Sequence, residues 1–145
     1  MEYSIGRMGR MILLRLDEDE DVLVSLKALS RKERIQNGLF VIIGSLKMGS
    51  LVSGAETEDI PVVPIWHHVQ DNYEVLGIGN IFQSGDEPQI HLHAALGRGE
   101  EFLMGCLRES SKVFLVAEII VFELLDISGV REKNGITGLS LLKIR

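Results

Sequence analysis

The chain has a single cysteine, Cys106, so no internal disulfide can form and nothing in its redox chemistry calls for an oxidising compartment. It has no excess of basic residues. With 15 Lys and Arg against 21 Asp and Glu, the formal net charge is −6, and a phosphate backbone repels the molecule as a whole. It also has no apolar run long enough for a bilayer: the most apolar stretch, VFLVAEIIVFELL, is short and broken by Glu118 and Glu123. The opening residues, MEYSIGRMGRMILLRL, lack the apolar core and small-residue cleavage site of a secretory signal. These absences point to a cytoplasmic protein with no membrane partner. Two common zinc-hydrolase templates are missing, the H-E-x-x-H helix and the H-x-E with P-C-x-x-C of deaminases. GSLKMGS and GIGN match neither the P-loop nor the dinucleotide fingerprint, and their glycines serve turns, bulges or tight strand packing.

What is present is ordinary globular chemistry. A chain of 145 residues, 46% hydrophobic and 25% charged, fits one domain over 1–145 whose core needs no metal as its main support. Met11 to Leu16 reads as a first strand, and the acidic run DEDED at 17–21 supplies the N-cap of a helix. Val22, Leu23, Leu26 and Leu29 form one apolar stripe of that helix, and Asn37-Gly38 supplies left-handed residues to end it or turn the chain. The remainder is strand-like: LFVIIGSLKMGSLV, YEVLGIGNIF, PQIHLHAAL, KVFLVAEIIVFELL and LSLLKIR. Gly54 to Trp66, with two prolines, reads as a long excursion from the sheet. The pattern reads as one main helix followed by a sheet of several strands. One helix cannot cover so much sheet. Between Val113 and Leu125 both alternating faces are apolar apart from Glu118 and Glu123, so another subunit is expected over the second face.

Chemistry concentrates at IHLHAALGRGEEFLMGCL. His91 and His93 project from one face of a strand with Cα atoms roughly 6.5 Å apart. With a Cys106 thiolate they make a nitrogen and sulfur set suited to zinc with one open position; copper or iron also fits these ligand types. Met104 would permit a thioether variant. The competing reading is an ordinary half-exposed strand beside a small buried thiol. His67 and His68 are adjacent, so at most one could join a shared site, and both are expected on the loop after Pro64. Glu118, interrupting an apolar strand, reads either as a proton-transfer or orienting group for the metal site or as an ion pair across a subunit interface. Arg31, Lys32 and Arg34, with Lys143 and Arg145, are the candidates for a local basic patch, or else complement the helix dipole and solvent.

The order GLFVIIGSL, YEVLGIGNIF, EPQIHLHAAL, MGCL and the apolar strand carrying Ala117-Glu118-Ile119 resembles the PPC (plants and prokaryotes conserved, or PCC) domain over nearly the whole chain. That resemblance implies an α+β fold, a largely antiparallel sheet with one main helix packed on it, and a homotrimer. In plants the domain is joined to AT-hooks that contact DNA; this chain has no R-G-R-P core and resembles the freestanding prokaryotic type, so direct DNA binding is disfavoured. Members often carry H-x-H followed by G-G-H-L, whose three histidines look like a metal site. His91 and His93 match the first pair, while Met104-Gly105-Cys106-Leu107 stands at the second motif with cysteine in place of histidine. Ligand chemistry and the resemblance together give a first reading, a trimeric zinc-binding protein whose partner is an unknown small molecule or protein. The alternative is a non-catalytic interaction or DNA-associated regulatory module.

Overall fold

A computed structural model describes residues 1–145. Eight strands and one helix follow in the order β1 (Arg7–Asp17), α1 (Val22–Glu33), β2 (Gly38–Ala55), β3 (Pro64–Ser84), β4 (Glu87–Arg98), β5 (Glu101–Leu107), β6 (Lys112–Leu125), β7 (Gly129–Lys133) and β8 (Ser140–Ile144). Apart from one parallel pairing, Gln83 with Val130, every strand pair is antiparallel. The antiparallel α+β architecture with one helix is the one expected from sequence.

The acidic run works as a helix start. Asp21 caps α1, its carboxylate accepting from the Val24 amide at 3.0 Å and from the Ser111 hydroxyl at 3.2 Å. Glu18 and Asp19 instead hold Lys47. The helix ends within the basic run Arg31, Lys32 and Arg34 and not at Asn37-Gly38. Arg34 takes the left-handed conformation (φ 57°), its amide reaching back to the Arg31 and Ser30 carbonyls. Asn37 ties the chain to the end of the sheet: its side-chain amide donates to the Ile127 carbonyl at 3.2 Å and its own carbonyl accepts from Leu124. Val22 and Leu26 of α1 bury fully against the inner sheet face, where Phe40, Ile42, Ile81, Leu92 and Ile119 form one core. Each such side chain stabilises the fold by about 1.5–3 kcal/mol.

The expected excursion from Gly54 to Trp66 is shorter in the structure. Strand β2 runs to Ala55 and pairs with Pro64 at the start of β3, so only 56–63 lie outside the hairpin. This hairpin organises the sheet. On one edge β2 pairs with β3 along its length; on the other it pairs with β6 as far as Met48, then with β5 through Leu51–Leu107 and Val52–Cys106. Since β3 pairs with β4 and β4 with β5, strands β2, β3, β4 and β5 close into a ring, with β6 and β1 extending from its lower half.

Cross-strand neighbours share a face, so register defines what lies outside. One row runs Leu13, Ile120, Val41, Ile78, His93, Cys106, and the next runs Arg15, Glu118, Ile43, Leu76, Ala95, Met104. Much of this outer face is exposed in the single chain, with Leu13 at 75%, Leu76 at 65% and Met104 at 61%. Exposed apolar groups in that number on one sheet face mark a surface built to be covered.

Candidate metal centre

The histidines stand on the outer face of β4 because their neighbours Leu92 and Ala94, fully or nearly fully buried, point inward. His93 lies directly across from Cys106 on β5, so the thiol emerges on the same face. Cys106 is only 5% exposed, whereas His91 is half-buried and His93 open. Gly105 makes this approach possible: a side chain there would meet the Val52 carbonyl oxygen at 2.5 Å. The glycine lets β5 close on β2 and fixes the cysteine beside the histidine strand.

The three side chains converge. His91 Nε2 and His93 Nε2 are 3.2 Å apart, their rings crossing at 80°, and the ligand atoms of His91, His93 and Cys106 all lie within 4.8 Å of one another. Two imidazole nitrogens on one tetrahedral zinc, each at ~2.0 Å, would be separated by roughly 3.3 Å. The histidine pair therefore has the spacing of a ligand edge, and the donor set of two nitrogens and one sulfur fits zinc with a position left open. Burial, aided by the positive charge of Arg131, His93 and Arg108, pushes His91 down to about 4, so the ring is neutral and able to ligate at pH 7. Burial raises the Cys106 thiol, against the opposing pull of Arg108 and Arg131. Ligation by this cysteine therefore has to displace a proton.

Sequence reasoning missed the cation that adjoins this cluster. Arg131, on β7, is 9% exposed, and its guanidinium donates to His91 Nδ1 at 3.0 Å, Asn80 Oδ1 at 2.8 Å and the Ser140 carbonyl at 3.2 Å. Nothing local marks this arginine in REKNG; it reaches His91 only because β7 docks beside the end of β3. The structure does not bring Glu118 to the cluster. It is exposed on β6, in a shallow concavity with Ile43, Leu76 and Phe102, and its row reaches β4 only three strands away, roughly 14 Å at ~4.8 Å per strand. His67 and His68 lie within β3 rather than on a loop, each hydrogen-bonded to its own serine, Ser53 at 2.8 Å and Ser50 at 3.0 Å. The basic candidates are partly neutralised: Arg31 pairs with Glu87, and Lys143 and Arg145 with Glu132.

The Plants and Prokaryotes Conserved (PCC) domain model matches residues 3–125. The chain belongs to this family. A plant- and prokaryote-conserved protein from Pyrococcus horikoshii is similar to this PCC chain at 29% identity, covering 100% of it and 99% of its own length with a TM-score of 0.86. A metal-containing protein from Archaeoglobus fulgidus shares the fold at 22% identity, covering 99% of each chain with a TM-score of 0.86. A protein from Ralstonia eutropha, provisionally described as DNA-binding, shares it at 20% identity, covering 92% of this chain and 90% of its own with a TM-score of 0.76. No curated protein matches the PCC chain. No helix is long and apolar enough to cross a membrane.

Proposed function

We propose that this PCC-domain protein binds zinc through His91, His93 and Cys106 and works as a homotrimer held together by its apolar outer face. The observation that carries the metal reading is the convergence of three ligand atoms of the right chemistry within 4.8 Å, two of them at the spacing of a ligand edge. Bound zinc would act as a Lewis acid or activate a water in the open position. The surrounding residues do the positioning: β4 aligns the two histidines, Gly105 seats the thiol, and burial keeps His91 unprotonated. The description of the Archaeoglobus fulgidus relative as metal-containing supports the same reading.

The outer-face rows that end at Cys106 and at Met104 support assembly, because copies seated there would remove Leu13, Ile43, Leu76 and Ile78 from water. Glu118 and its cross-strand neighbour Arg15 lie in that surface, and we assign them to the contact between copies rather than to proton transfer. A DNA-associated role has less support, since the net charge is −6 and several of the candidate cations already face carboxylates.

Elemental analysis of protein purified without added metal or chelator tests the metal reading. Near one zinc per chain is expected, with most of it lost in Cys106→Ala and in His93→Ala. Full metal content in Cys106→Ala rejects the cysteine as ligand, and none in the wild type after zinc titration rejects the site.

A further inference from the structure

Most arginines of this acidic protein face a carboxylate: Arg7 pairs with Asp126, Arg10 with Glu123, Arg15 with Asp17, Arg98 with Asp71 and Arg145 with Glu132. Arg34, Arg108 and Arg131 do not, and of these only Arg108 and Arg131 share a concavity. The hydrogen-bond partners of Arg131 are all neutral groups, and its Nε is buried with no partner at all. A guanidinium removed from water is costly unless a negative charge offsets it, and the protein supplies none here.

The second cation converges on the same place. Arg108 follows β5, its backbone amide bound to the Ser50 carbonyl at 2.7 Å, and its exposed side chain lines three adjoining concavities. The first, about 170 Å³, has Arg131 and His91 in its wall. The second, about 510 Å³, contains the histidines and Cys106. The third, about 520 Å³, is walled by Trp66, Val52, Val62 and Pro64. A doubly cationic polar pocket, a ligand cluster and an apolar aromatic wall thus meet at one side chain.

We propose that Arg108 and Arg131 together bind the oxyanion of a small-molecule ligand, a carboxylate or a phosphate, beside His91, with the ligand's apolar part lying against Trp66. Guanidinium forks match both anions, and the unpartnered Nε of Arg131 offers a donor that no protein group uses. The pocket beside Arg131 is sized for a head group rather than a polymer, whereas the Trp66 concavity accepts a ring or short chain. The site is made of protein groups and does not depend on metal, although an anion placed here lies next to the open position of the metal reading.

Trp66 is the only tryptophan and is 47% exposed, so its fluorescence reports this site alone. Protein as purified is titrated with phenyl phosphate, benzoate and inorganic phosphate, with phenol as the uncharged control. A saturable change with phenyl phosphate or benzoate is expected, weakened at least about tenfold in Arg108→Ala and for phenol. Whichever aromatic anion binds more tightly identifies the head group, and inorganic phosphate should displace it. Arg131→Lys, which keeps the charge but loses the fork, provides a second variant should Arg108 prove structurally needed. The same titration on chelator-stripped protein and on His93→Ala, with metal content measured in each sample, separates this site from the metal site. Binding that persists there and still falls in Arg108→Ala supports the proposal even if no metal is found. No saturable change, or binding that vanishes with the metal while Arg108→Ala binds like wild type, overturns it.

Discussion

Arg131 Nη2 lies 3.0 Å from His91 Nδ1. A guanidinium can only donate, so Nδ1 holds a lone pair and the neutral ring carries its proton on Nε2, the nitrogen facing His93. A metal on Nε2 would move that proton to Nδ1, where it would point at the arginine's own hydrogens. Glutamine at this position offers an oxygen that can accept it. Arg131→Gln should therefore tighten metal binding by about tenfold, the lower end of the effects of changes made behind a metal ligand. Competition with a chelating dye measures it, and weaker binding would mean that Arg131 supports the loaded state.

The depressed His91 gives a pH signature to the metal-free protein. Unfolded, the ring titrates near the ordinary 6.5; folded, burial with Arg131, His93 and Arg108 holds it near 4. Between those values the unfolded chain binds more protons, so stability must fall as pH drops from about 6.5 to 4 and level off below. The loss attributable to this ring is on the order of 1–3 kcal/mol. Denaturant melts of chelated wild type and His91→Gln across this range should show a shallower slope in the variant; equal slopes would assign the acid sensitivity to other groups.

The outer face makes a prediction about mass. Leu76 is 65% exposed in the single chain, in the middle of an apolar row, so an aspartate there costs little in the isolated fold but places a charge in the proposed contact. Leu76→Asp should sediment as a single chain with an unchanged far-ultraviolet circular dichroism spectrum, where wild type sediments as three. A wild type that is already monomeric would sink the assembly reading.

Gly105 is the tightest point of the centre. Gly105→Ala brings a methyl carbon to 2.5 Å from the Val52 carbonyl oxygen, a backbone atom that cannot swing away. Prising β5 from β2 should cost about 2 kcal/mol or more. The metal content should fall as well, since Cys106 is the next residue. Thermal melts and zinc content measured on the same sample separate the two effects; a variant as stable as wild type with full metal would show that the strands can part without moving the thiol.

Six of the eight strands were legible in the sequence because alternation and turn residues are local, and the capping role of the acidic run was legible for the same reason; β5, which carries Cys106, and β7, which carries Arg131, were not read as strands. The end of α1 was legible from the basic run Arg31, Lys32 and Arg34, but its left-handed residue was not: Arg34 takes that conformation, while Asn37 binds Ile127 and Leu124 instead. His91, His93 and Cys106 could be grouped from alternation and ligand chemistry with the help of a family pattern. Arg131 could not, being forty residues from its partner with no motif around it. For Glu118 the sequence left two readings, a group at the metal site or an ion pair between subunits, because alternation gives the face of a strand but not how many strands separate it from the histidines.

The ring of β2, β3, β4 and β5 has a kinetic meaning. Cys106 sits in the strand whose brief pairing with Leu51 and Val52 makes the closure, and it is only slightly exposed on the face it shares with the histidines. Parting of that seam would lay the thiol open, so the alkylation rate of this single cysteine should rise whenever the ring opens.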